Sequence, residues 1–255
     1  MMDWNITGDT ATCEETTSDK VKWEKLAGTT VDASGEIPTV LQDLLGDKTK
    51  DDIIYKADTS TDEIINHLLV YKVAYDILSD DDPEEKAIKE VLVDTVRNIA
   101  QHFVDNGYAL RDATGQGTTW GKTELDYFNN SMTWEDCSLN CLVLLNVFKL
   151  AGYVTGEARW ENEYRMLATE EPYRYADLCG QYWERLEYVA HVDSGLPEDA
   201  SQEEVDEWIR YYLCYPDEEM AVSAYYLLFQ MEEDEELLAK YRVGFDDWWK
   251  SMQYS

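Results

Sequence analysis

Residues Leu139 to Tyr153 form a stretch that is apolar nearly all round, with Leu142-Val143-Leu144-Leu145 at its centre. A helix without a polar face has to be covered on several sides. Other elements must therefore gather around it, and the flanking sequence supplies them as helices. Thr155-Gly156-Glu157 turns the chain into an amphipathic segment carrying Trp160, Tyr164 and Leu167. The same order occurs twice more. Ile64, Leu68, Tyr71, Tyr75 and Leu78 recur at helical steps behind Ser60-Thr61-Asp62-Glu63, which fits a capping box. After Asp80-Asp81-Asp82-Pro83 a partner carries Ile88, Leu92, Val96, Ile99 and Phe103 and stops at Asn106-Gly107. Finally, Pro216-Asp217-Glu218-Glu219 opens an apolar helix from Met220 to Met231, and its partner carries Leu238, Tyr241, Phe245 and Trp248.

Two further helices are expected within residues 172–213, around Tyr182-Trp183 and Trp208-Ile209. Tyr108 to Trp120 reads as a short β-hairpin around Gly115-Gln116-Gly117. The expected fold is all-α: antiparallel helical hairpins side by side in an (α/α) toroid or partial toroid, with that small β-hairpin inserted. Residues 58–255 make this domain. Residues 1–57, rich in Thr, Asp, Gly and Lys, read as an irregular N-terminal segment, packed on the body or partly disordered.

Charge narrows the partners. Against 54 acidic residues stand 21 basic ones, a net charge of −33. Duplex nucleic acid and anionic membranes both need clustered cations, so neither is expected as a partner. No apolar run approaches the roughly 18–20 residues that cross a bilayer, and Met1-Met2-Asp3-Trp4-Asn5 has no signal-peptide character. A hydrophobic share of 44% and an aromatic share of 13% exclude disorder as the main state. Cys13, Cys137, Cys141, Cys179 and Cys214 include no Cys-x-x-Cys, and the three histidines lack zinc spacing, so the cysteines read as small core residues. No metal or other cofactor is expected. The runs Asp80–Asp82 and Glu232–Glu236 do not match a calcium loop and read as solvated helix connections.

Asp58-Thr59-Ser60-Thr61-Asp62-Glu63, with His67 and Tyr75-Asp76 after it, resembles the aspartate-threonine-serine-serine-aspartate-glutamate signature of a bacterial six-hairpin (α/α) toroid family, glycosidase-like and mostly exported. His102, Asn106-Gly107-Tyr108, Trp120, Ser138-Leu139-Asn140, Lys149-Leu150-Ala151, Thr155-Gly156 and Asp217-Glu218-Glu219 follow in the family's order. The similarity runs over roughly residues 56–250. Thr119 stands where relatives place a basic residue, and fewer hairpins are present than in a complete toroid, as in a fragment or shortened variant. The resemblance implies a carbohydrate ligand and an extracellular or cell-surface location, although no signal peptide is visible, and a cytoplasmic location is the alternative.

Glycosidic hydrolysis needs two carboxylates about 5–10 Å apart, one protonated and one ionised. Candidate acids and bases are Asp58, Asp62, Glu63 and Asp217. His67 shares a helix face with Glu63 and would position substrate, and Tyr71 extends that stripe. Trp120 and Trp134 are candidate stacking platforms, and Tyr215 and Glu218 further substrate contacts. A capping role alone accounts for acidic first turns. Two functions therefore stand: a glycoside hydrolase-like protein, or a non-catalytic helical module binding glycan or protein through a concave aromatic and acidic face. Oligomeric state is left open.

Overall fold

The computed structural model describes residues 23–25, 54–56, 58–112, 115–129, 137–192, 195–197, 199–212 and 215–252. Two compact units divide the chain: residues 1–60 with 111–120, and residues 61–110 with 121–255.

In the first unit, β1 (Trp23–Lys25) pairs antiparallel with β2 (Ile54–Lys56), Glu24 opposite Tyr55. This pair falls within the segment expected to be irregular, most of which lies outside the described residues. Gly115, at φ +80°, makes the expected glycine turn, and Asp112 Oδ1 accepts the Gln116 N–H at 2.9 Å. Beside the turn stands one antiparallel bridge, Arg111 to Gly117.

The second unit is helical throughout its described elements. These are α1 (Thr61–Ile77), α2 (Pro83–Asp105), α3 (Leu125–Phe128), α4 (Cys137–Thr155), α5 (Ala158–Thr169), α6 (Tyr175–Leu178), α7 (Tyr182–Val192), α8 (Gln202–Tyr212), α9 (Tyr215–Met231) and α10 (Glu235–Met252), with a 3₁₀ turn at Cys179–Gln181. The all-α class is therefore as expected. Asp82 caps α2 by accepting the N–H groups of Glu84 and Glu85, with Pro83 in the first turn. Asn106 and Gly107 (φ +63°) end it, and Gly156 (φ +67°) makes the turn from α4 to α5.

Every residue from Cys137 to Ala151 is buried, so α4 is the axis of the unit. It packs on α1, α2, α5 and α9, while α1 and α9 also pack on each other. Asn146 Nδ2 donates to Ala224 O at mid-helix, and Lys149 reaches Glu232 just past the end of α9, so α4 and α9 run in the same direction. Tyr153 Oη donates to Asp76 Oδ1 at 2.9 Å, joining the carboxyl ends of α4 and α1. Helices α1, α4 and α9 thus share a direction.

One expectation is corrected by α4. Its 19 residues have a mean hydropathy of 1.5 over an 18-residue window, enough in length and apolarity to cross a bilayer. Within this unit 89% of that window is buried, so its apolar surface is spent on packing against other helices.

A close crossing ties α10 to the 3₁₀ turn. Tyr225 Oη donates to Cys179 O at 3.1 Å, and a Cβ at Gly244 would lie 2.3 Å from that hydroxyl oxygen. Glycine leaves the space through which the buried tyrosine reaches the carbonyl.

Candidate functional site

At the carboxyl ends of α4 and α9 lies a groove of about 290 Å³. Lys149, Gly152, Tyr153, Glu157, Glu161, Met231 and Glu232 contribute to its lining. Lys149 is the one charged residue of α4 and is only 7% exposed. Its ammonium lies 3.2 Å from Glu161 Oε2 on α5 and 3.2 Å from Glu232 Oε2, and 4.5 Å above the Tyr164 ring. A buried ammonium needs such compensation, since isolated charge is expelled from a low-dielectric interior.

Glu232 is held on every side. Its Oε1 accepts the N–H groups of Glu233 and Asp234, both at 2.8 Å, and its Oε2 accepts the Tyr164 hydroxyl. With the Tyr164 proton committed there, the Tyr241 hydroxyl donates to Tyr164 Oη at 2.7 Å. Burial pushes the Glu232 carboxyl up, but Tyr164, the Asp234 N–H and Lys149 outweigh burial and hold it below the usual carboxylate range. Burial raises both phenols further from ionisation. Arg165 spans the rim, with Nε 3.0 Å from Glu161 Oε1 and a guanidinium nitrogen 3.0 Å from Asp234 Oδ2. Arg165 first, then the Glu236 and Leu237 N–H groups, lower the Asp234 carboxyl, which caps α10. The expected solvated connection at Glu232–Glu236 is thereby corrected at Glu232, whose side chain is 1% exposed. Asp80 to Asp82 are exposed, as expected.

Tyr153, a residue 42% exposed, forms one wall of the groove. Its ring packs edge-on against Tyr75 at 5.8 Å, and Lys72 lies 5.6 Å from its centroid. Glu157, on the lining, is clamped by Arg97 at 2.7 Å and Arg159 at 2.8 Å. The groove therefore combines an aromatic face with fixed hydrogen-bonding groups of both signs.

The residues singled out from sequence lie elsewhere. Asp58 is buried, and its Oδ1 accepts the N–H groups of Thr59 at 3.1 Å and Thr119 at 3.2 Å, a backbone-holding role within the first unit. Trp120, in the same unit, is 59% exposed. Asp62 and Glu63 stand in the first turn of α1, exposed and half-buried respectively. His67 is exposed and stacks on Tyr71 at 5.9 Å with 20° between the planes. Asp217 is half-buried and Glu218 buried in the first turn of α9. Trp134 and the Tyr215 side chain lie outside the described residues. Among the described residues no group of three or more His, Cys, Asp or Glu is placed to hold a metal ion.

Sequence reasoning missed the groove, although Lys149 carried a signal. A lone lysine in a helix buried nearly all round must find a buried counter-charge. No protein-family profile, no curated protein and no solved structure matches the chain.

Proposed function

We propose that the helical unit is a carbohydrate-recognition module, its hairpins arranged in the manner of an (α/α) toroid, that holds an oligosaccharide in the Lys149–Glu232 groove without cleaving it. The observation that carries this reading is the combination of the half-exposed Tyr153 with carboxylates and cations already fixed by one another. Sugar rings offer apolar C–H faces to an aromatic platform, and their hydroxyls donate to and accept from such a polar wall. Glu161 and Glu232 flank one ammonium, close enough for glycosidic acid–base chemistry. That chemistry, however, needs a carboxyl that stays protonated near neutral pH, and Glu232 is held in the opposite direction. Location at the cell surface would bring the groove to extracellular glycan, and the net charge of −33 favours a neutral ligand over polyanions.

A second reading, glycoside hydrolysis, draws support from the opposite end of the unit. Because α1 and α9 share a direction, their acidic first turns, Asp62 with Glu63 and Asp217 with Glu218, stand at the same end. A glycan array probed with the full chain, followed by reducing-end assays on every bound sugar, separates the two. Binding that Tyr153→Ala weakens at least tenfold, with no new reducing ends, supports recognition. Turnover abolished by Asp62→Asn or Asp217→Asn replaces it with hydrolysis, and an array with no bound glycan overturns both.

A further inference from the structure

Cys141, in the second turn of α4, and Cys179, in the 3₁₀ turn after α6, bring their sulfurs to 3.4 Å. Both side chains are fully buried and both are free thiols. They face each other in one packed region: Cys141 Sγ also lies 3.2 Å from Ser138 O, and Cys179 O accepts the Tyr225 hydroxyl. Cys137 points elsewhere, its sulfur 4.0 Å from Tyr127 O. We propose that Cys141 and Cys179 are a disulfide site, closed when the chain folds under oxidising conditions and left as a buried thiol pair when it folds under reducing ones.

The co-reactant is a small disulfide such as oxidised glutathione. One cysteine thiolate attacks it, forming a mixed disulfide and releasing one small thiol. The second cysteine thiolate then attacks the protein sulfur of that mixed disulfide, closing the intramolecular S–S bond and releasing the second small thiol. Two protein thiols lose two protons and two electrons, and the two released thiols carry them. The exchange belongs to folding, because burial raises the Cys141 thiol well above its ordinary range and keeps it protonated once the unit is packed. The closed bond would enclose residues 142–178 and staple the central helix to the corner that α10 crosses. A loop of that length restricts the unfolded chain substantially. The outcome would couple stability to the redox state of the compartment in which the chain folds.

The test refolds reduced, denatured full-length protein in a mixture of oxidised and reduced glutathione, alkylates it, digests it and maps the cross-links by mass. The proposal expects a dominant link between the Cys141 and Cys179 peptides. It also expects a melting temperature roughly 5–15 °C above that of protein refolded with reductant. Alkylation of both cysteines, a dominant link to Cys13, Cys137 or Cys214, or a cross-linked product melting at or below the reduced protein would overturn it.

Discussion

The Lys149 ammonium sits 3.2 Å from the Glu232 carboxylate, beside a phenol pair, with both charged side chains almost fully buried. Removing Lys149 leaves the buried Glu232 carboxylate with hydrogen-bond donors but no buried counter-charge. Lys149→Met is therefore expected to destabilise the protein by about 3–5 kcal/mol in urea unfolding. Replacing both, as Lys149→Met with Glu232→Leu, should recover only part of that loss, because it removes the buried charge but leaves the Tyr164 hydroxyl and the Glu233 and Asp234 N–H groups without their acceptor.

Glu232 also sets a pH signature. Its carboxyl titrates below the unfolded value of 4.5, so its contribution is fully present above that pH. The contribution falls away as pH drops from 4.5 through the folded-state value. Asp247 has the opposite sign. Burial raises its carboxyl above 3.8, even though it accepts the Trp183 N–H, so ionising it weakens the fold as pH rises through the folded-state value. Thermal melts between pH 3 and 7 should show a shallower acid loss for Glu232→Gln than for the parent. For Asp247→Asn, the acid-to-neutral gain in stability should be steeper.

Gly244 supplies a steric prediction. Gly244→Ala places a methyl group 2.3 Å from Tyr225 Oη and 3.2 Å from Cys179 O, so the tyrosine must move or α10 must shift. A loss of about 1–3 kcal/mol is expected. Adding Tyr225→Phe removes the obstructing hydroxyl, and the double variant should be less unstable than two independent losses predict, as a double-mutant cycle will show.

Charge governs the response to salt. With 54 acidic and 21 basic residues, like-charge repulsion works against the compact state. Raising KCl from about 0.05 M to about 1 M shortens the screening length severalfold. The melting temperature should rise over that range, and a flat or falling trend would show that the ion pairs screened by salt outweigh the repulsion among carboxylates.

Periodicity and turn chemistry made the three hairpins legible: Asn106-Gly107 ends α2 and Thr155-Gly156-Glu157 separates α4 from α5. They could not place the groove. Glu232 opens an acidic run that reads as solvated, and only the rotation of α9 at its last turn directs it inward to Lys149. The His67–Tyr71 stack was visible because four-residue spacing fixes a shared helix face. Asp58 was legible as important but not in role, since its partner Thr119 lies sixty-one positions away and local spacing cannot reveal it.

Methionine methyl spectra give the most direct test of where ligand binds. Met231 lines the groove, whereas Met220 lies near the amino end of α9, close to Asp217 and Glu218. Titration with an oligosaccharide selected on the array is predicted to move the Met231 signal saturably and leave Met220 in place, with each resonance assigned by substitution to leucine. A saturable shift at Met220 with Met231 unmoved would contradict the account and place the sugar among the acidic first turns.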